Sequence, residues 1–241
     1  MKIISGMHRS GTSIVARLFY EAGADMGDPR GFYPGNRWNP DGYFEQKDIH
    51  TVNMPLINGP WGKFSYLKLP SEMRIMKRGV KLKEKIIELG KKYDGNVVKE
   101  ARFSLTLPVY LKYKVNIEKL IINIREPVEV ALSLRKRNHI PLAIGLKLWH
   151  EHNRRLLDYV VDIPHVILNY NRLLSEEGFF IELKSAFEFF DIQASDFQIR
   201  TFKENYINNT MNHNKKDHYK YPVYIQEMWH RLNEEKKSNG L

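Results

Sequence analysis

Short, largely apolar runs punctuate the chain at "KIIS" (2–5), "NVVKEA" (96–101), "KLIINIRE" (119–126) and "HVILNY" (165–170). They lack the strict alternation of a half-exposed strand and read as buried strands. Longer amphipathic stretches lie between them. "SIVARLFYEAGA" (13–24) places Ile14, Leu18 and Phe19 at helical spacing with Gly23 as a stop signal. Residues 42–57 read as a second helix, and "VKLKEKIIELGKKYDG" (80–95) as a third that ends at Gly95 after several lysines. "PVEVALSLRKRN" (127–138) opens on Pro127, well suited to a first helical turn. Residues 142–161 and 178–190 complete the helices, with Trp149 as a core residue. Strands and helices alternate four times, which predicts an α/β fold with a parallel sheet flanked by helices on both faces, a three-layer sandwich. In such sheets ligands sit beyond the carboxyl ends of the strands, and Arg9 and Arg125 each follow one. Residues 26–42, "MGDPRGFYPGNRWNPDG", are dense in glycine, proline and aromatics and predict an ordered loop over that edge.

Neither a repeat nor a low-complexity linker divides the 241 residues, so one domain over 1–241 is expected, with 26–66 as an acceptor-side region and 205–241 as a tail placed to cover a cofactor. Charge narrows the partners. A formal net charge of +10 suits nucleic acid, an anionic membrane surface, acidic polymers or phosphorylated cofactors, without choosing among them. The cations are spread along the chain with no basic recognition helix, which weakens the nucleic-acid reading. The absence of cysteine excludes disulfides, thiolate metal sites and thiol nucleophiles. A polar loop reached by residue 8 leaves no room for an apolar signal core, and no run suits a membrane span, so a cytoplasmic location is expected and the sequon at Asn208 carries no meaning.

The stretch "GMHRSGTS" (6–13) has the outline of a phosphate-binding loop, with a strand before it and a helix after it. Gly6 and Gly11 let the backbone turn and aim amides at an anion, and the following helix adds its positive end. Ser10, Thr12 and Ser13 surround the position with hydroxyls, and Arg9 adds a forked, permanent cation. Thr12 stands where a nucleoside-triphosphatase carries its phosphate-gripping lysine. The loop therefore predicts an anhydride held without that lysine and without an obligatory metal; an atypical kinase would need a lysine and a magnesium-binding acid from elsewhere.

"GMHRSGTS" resembles the loop with which sulfotransferases hold the phosphosulfate of 3′-phosphoadenosine 5′-phosphosulfate (PAPS). That family's second signature, a strand ending in arginine followed eight residues later by a helical serine, is matched by Arg125 and Ser133 in "KLIINIREPVEVALSLRKR". Fainter similarity runs over about residues 1–200 in "VVKEARFSLTLPVYL" and "VILNYNRLL". The resemblance implies a P-loop-like fold, PAPS as donor, 3′-phosphoadenosine 5′-phosphate (PAP) as product and a hydroxyl acceptor of carbohydrate or metabolite type. Arg9, Ser10, Gly11, Thr12 and Ser13 would then hold the phosphosulfate, and Arg125 and Ser133 the 3′-phosphate. Arg9 takes the place of the cation near the bridging oxygen.

The base is where the pattern departs. The cytosolic small-molecule branch carries a histidine just after its central strand, where this chain has Ala101. The carbohydrate and protein-tyrosine branches use a glutamate after the first helix, and Glu45 matches it, with Asp48 and His50 as rivals. Lys99 and Arg102 are candidates for orienting the acceptor, and Lys203, Lys215 and Lys216 for reaching the 3′-phosphate. Trp38, Tyr43, Phe44, Trp61 and Tyr66 could line an acceptor cleft or pack the loop. The tryptophan that stacks on adenine in some members is replaced by Ile14. No metal site is expected: His150 and His152 point apart on their helix, and His213 and His218 read as surface residues.

Overall fold

In the computed structural model, residues 1–36, 39, 42–58, 69–207 and 219–238 are described. The strands are β1 (Lys2–Ser5), β2 (Val97–Lys99), β3 (Lys119–Ile124) and β4 (His165–Asn169). They form one parallel sheet in the order β2-β1-β3-β4. Successive strand residues face opposite ways, so Ile3, Val98, Leu120, Ile122 and Ile167 enter one core while Ile4, Val97, Ile121, Val166 and Leu168 enter another.

The first core is closed by α2 (Lys47–Ile57), α3 (Glu72–Gly79), α4 (Lys83–Lys92), α5 (Phe103–Lys112), α6 (Pro127–Asn138), α7 (Leu142–Tyr159) and α11 (Val223–Ser238). The second is closed by α1 (Thr12–Glu21), α8 (Tyr170–Leu173), α9 (Glu176–Phe189) and α10 (Asp196–Tyr206). The three-layer α/β sandwich is thereby established. The order in which strands are added reverses across the sheet between β1 and β3, and the loops after those two strands open the crevice where such sheets bind ligands.

Besides the single-turn α8, four helices stand where the sequence pattern marks none. α5 is buried at Phe103–Leu107, Val109 and Tyr110, so it shows no polar face to read. α3 spans only eight residues, and α3 and α10 are each capped by a serine, Ser71 and Ser195. α11 lies within the expected tail and packs as core: Ile225, Met228 and Leu232 are buried, and Trp229 meets the fully buried Trp149 at 5.9 Å. Its Lys236 reaches the wholly buried Glu182 of α9 at 2.8 Å and the Ile167 carbonyl of β4 at 3.1 Å. Glu182 also accepts from the Asn169 amide at 2.9 Å and from Arg172 at 2.7 Å. Truncating Leu232 to Ala is expected to destabilise the protein by about 2–5 kcal/mol, read as a lowered urea midpoint; a midpoint matching wild type would mean that α11 is peripheral. The expected helix over 42–57 begins only at Lys47, because the left-handed backbone at Gly42 (φ 92°) and Phe44 (φ 53°) keeps the preceding residues out of helical geometry.

Candidate active site

The loop after β1 is shaped by contacts that forbid side chains. A Cβ on Gly6 would collide with the Asn123 carbonyl of β3, and one on Gly11, at φ 86°, with the Tyr170 ring. Asn123, a polar residue inside an apolar strand, donates its side-chain amide to the Ser10 carbonyl. Gly11 caps α1 without a side-chain partner, and no acidic residue occupies the first turn. The first amides of the helix and its positive end therefore face the crevice. Ser10 is wholly buried, and its hydroxyl has no hydrogen-bond partner among the described residues.

Arg9 stands in the left-handed region at φ 73° and joins both strand-to-helix junctions. Its Nε donates to Ser133 Oγ at 2.8 Å, and its carbonyl accepts from Arg125 Nη1 at 3.4 Å. Arg125 is 7 % exposed, pairs with Glu129 at 2.8 Å and lies 4.6 Å over the Tyr170 ring. Arg137, one turn beyond Ser133, reaches Tyr43 at 3.4 Å. Burial, then the like charges of Arg137 and Arg125, pull the Arg9 guanidinium below its ordinary pKa. Fixed cations pressed together in this way form an anion site.

A second cluster closes the other flank, at the end of β2. Lys99 Nζ lies 2.5 Å from Glu45 Oε1 and 3.3 Å from Ser13 Oγ of the loop. Arg102 donates to Glu45 at 3.3 Å and to the buried Glu100 at 2.7 Å. Glu45 is delivered by the loop before it. Gln46 bonds the Met26 and Asp28 carbonyls, and Tyr33 bonds the Glu45 carbonyl, so "MGDPRGFY" folds against the segment and fixes its carboxylate. Burial pushes Glu45 up, but Lys99, His50 and Arg102 outweigh it and hold the carboxyl well below the usual range. Burial, then Glu45, push Glu100 up.

Two histidines line the floor between the flanks. His8 and His152 stand edge to face, ring centroids 6.3 Å apart. Ser104 Oγ gives its proton to the Ala101 carbonyl at 2.7 Å, so it accepts from His152 Nδ1 at 2.7 Å, which assigns the tautomer. Burial, then Arg155, pull His152 to about 4. Burial, then Arg102, pull His8 well below the ordinary histidine value. Both rings are neutral at pH 7.

Neither the family models nor the curated proteins match the sequence. Among solved structures, the chain resembles a sulfotransferase domain from the curacin biosynthetic pathway, with a TM-score of 0.55 at 12% identity over 97% of both chains. The chain has the sulfotransferase fold. A retinol dehydratase solved with androsterone and the inactive cofactor PAP aligns with 99% of this chain and 80% of its own, with a TM-score of 0.44 at 14% identity.

Within this sulfotransferase fold, the residues read from the two motifs come together: Arg9, Ser10, Gly11, Thr12 and Ser13 on one side, Arg125 and Ser133 meeting at Arg9 on the other. Glu45 lies at the same edge, joined to the loop through Lys99. Asp48 does not: it caps Ile49 and pairs with Lys92 and Tyr93. His50 packs at a tilt against Tyr33, ring centroids 4.3 Å apart, with Nδ1 3.9 Å from Glu45. Tyr43 stands between Arg137 and Lys99, whereas Phe44 packs on Tyr20 and Phe32. Lys203 pairs with Glu176. Trp38, Trp61, Tyr66, Asn208, His213, Lys215, Lys216 and His218 lie outside the described residues. His150 turns to Tyr224 and His152 to Ser104, pointing apart.

Among the described residues, Glu45, His50 and Glu100 bring ligand atoms within 4.8 Å of one another. A divalent ion there would face Lys99 and Arg102, which already neutralise the carboxylates, so this donor set does not fit a metal. No helix among the described residues is long and apolar enough to cross a membrane. Sequence reasoning passed over His8, Asn123, Arg137 and Tyr170. Asn123 was signalled by a polar residue within "IINI", and Arg137 by its one-turn spacing from Ser133.

Proposed function

We propose that the chain transfers a sulfuryl group from PAPS to an acceptor hydroxyl, releasing PAP. One observation carries the reading. Three guanidiniums, Arg9, Arg125 and Arg137, crowd a glycine loop that lacks the nucleoside-triphosphatase lysine, with Arg9 bonded at once to Ser133 and to Arg125. Such a site fits a ligand with phosphates at two places. When bound, PAPS supplies an activated sulfuryl group on a phosphate leaving group. Arg125 and Ser133 are assigned to the 3′-phosphate. Amides 11–13, the orphaned Ser10 hydroxyl and Arg9 are assigned to the phosphosulfate. Lys99, 3.3 Å from Ser13, is placed to meet charge at the reacting end.

The acceptor side combines Glu45, Arg102, His8 and His50 with the Tyr43 ring. Many hydrogen-bonding groups beside one aromatic face suit a carbohydrate or related metabolite hydroxyl. The carboxylate expected as base is a weak proton acceptor in this setting, because two cations hold it ionised. Its assigned role is to fix Lys99 and Arg102.

Calorimetry tests the reading: PAP without magnesium against ADP, AMP and ATP with magnesium. PAP should bind at least about tenfold more tightly than ADP, the worth of one charge-assisted contact of roughly 1.5 kcal/mol. Lys99 also supplies a lysine beside the loop, as an atypical kinase would require. Tighter binding of ATP with magnesium would favour that enzyme instead.

A further inference from the structure

We propose that His8 takes the acceptor's proton, with Glu45 acting beside it as the anchor of Lys99 and Arg102. The inference rests on the sulfuryl-transfer reading above. Its ground is placement. His8 immediately precedes Arg9, so it shares the strand end at which the loop meets the reacting group. Charged and titratable groups from four elements face it: Arg102 at the start of α5, His152 of α7, Glu45 ahead of α2, and Lys99 of β2. Its ring stands against His152, which Ser104 and the Ala101 carbonyl hold in one orientation. His8 also keeps part of its surface open, whereas Glu45, Glu100 and His152 are all buried.

Chemistry separates the candidates. Glu45 already gives one oxygen to Lys99 and the other to Arg102. Protonating it would break up a buried charge network. His8 enters the reaction neutral, and its charged form gains Glu45 as a counter-ion. Anionic donor groups beside Lys99 and Arg102 would offset the two cations that disfavour protonated His8, so its basicity rises when the donor is present. The step balances. The acceptor oxygen bonds to sulfur as its proton passes to the His8 ring nitrogen. The bond from sulfur to the bridging oxygen breaks, and its electron pair leaves on the nucleotide phosphate. His8 then returns the proton to solvent.

The experiment uses the full chain with sulfur-labelled PAPS, a panel of sugars and aliphatic alcohols, and water as the default acceptor, together with PAP calorimetry. His8→Asn and His8→Gln should bind PAP within about twofold of wild type while kcat falls roughly 10²–10⁴-fold, the usual worth of a general base. In wild type kcat should decline as pH falls through the His8 pKa, and that acid limb should be missing from both variants. Near-wild-type kcat in the variants, or an acid limb that survives in them and vanishes in Glu45→Gln, overturns the assignment. Should the variants fail to fold, the His8 ring is followed by NMR in the wild type, where its pKa must rise on PAP binding; no rise overturns the proposal. A wild type that binds no PAP defeats the sulfotransferase reading itself. A protein that binds PAP and still transfers the sulfuryl group at near-wild-type kcat with His8 replaced defeats this inference alone.

Discussion

Arg9→Ala is expected to lower kcat for the proposed sulfuryl transfer by about 10²–10³-fold while leaving the fold intact. The magnitude is that of removing one preorganised donor from a site of developing charge, roughly 2.7–4 kcal/mol. Arg9 meets the description: Ser133 Oγ holds its Nε at 2.8 Å, and the terminal nitrogens of the fork remain for the anion. Stability should not suffer. The like charges of Arg137 and Arg125 oppose Arg9 in the ligand-free protein, so the truncated variant should melt at or above the wild-type temperature. PAP should stabilise the variant less than it stabilises wild type. Arg9→Lys should recover only part of the rate, since an ammonium cannot hold Ser133 and reach an anion in the same geometry. Steady-state kinetics beside thermal melts decide it. A variant that turns over within a few-fold of wild type would show that Arg9 supports the loop and does not meet the reacting charge.

Lys99→Met is expected to destabilise the chain by about 3–5 kcal/mol and to abolish measurable transfer. The side chains of Lys99 and Glu45 are only 2% and 8% exposed, so removing the ammonium leaves a buried carboxylate with a weakened set of partners. Adding Glu45→Gln should restore much of the stability and none of the activity, and a double-mutant cycle in urea measures the coupling. The pH dependence has a definite sign. The folded-state pKa of Glu45 lies below its unfolded value of 4.5, so its stabilisation is complete above that value and is lost as pH falls toward the folded pKa. Lys99→Met should therefore flatten the acid side of the stability profile. A loss in the double mutant equal to the sum of the two single-mutant losses would show that the ion pair contributes nothing as a pair.

The parts of this molecule that sequence exposed are those governed by local rules. Four buried strands, the loop between Gly6 and Ser13, and the spacing from Arg125 to Ser133 each follow from residue type and short-range geometry. The meeting of those two junctions at Arg9 needed the sheet order, because β1 and β3 are neighbours although β2 lies between them in the chain. α5 was hidden because burial on nearly all sides erases helical periodicity. Glu45 was legible as a position but not as a charge state, which depends on Lys99, 54 residues away. Nothing in the loop's sequence singled out His8, and only the third dimension sets it against Arg102 and His152.

The clamp on Glu182 bears on how the chain is made. Lys236 follows Glu182 by 54 residues, and α11 is needed to cover β4 and α7. At synthesis rates of about 5–20 residues per second, roughly 3–11 s pass between translation of the two residues. During that interval the acid that bonds the end of β4 has Arg172 but not its buried ammonium partner. The sheet can assemble before α11 is made, whereas the finished first core must await that helix, and a nascent protein stalled before α11 should be the species that chaperones and proteases find.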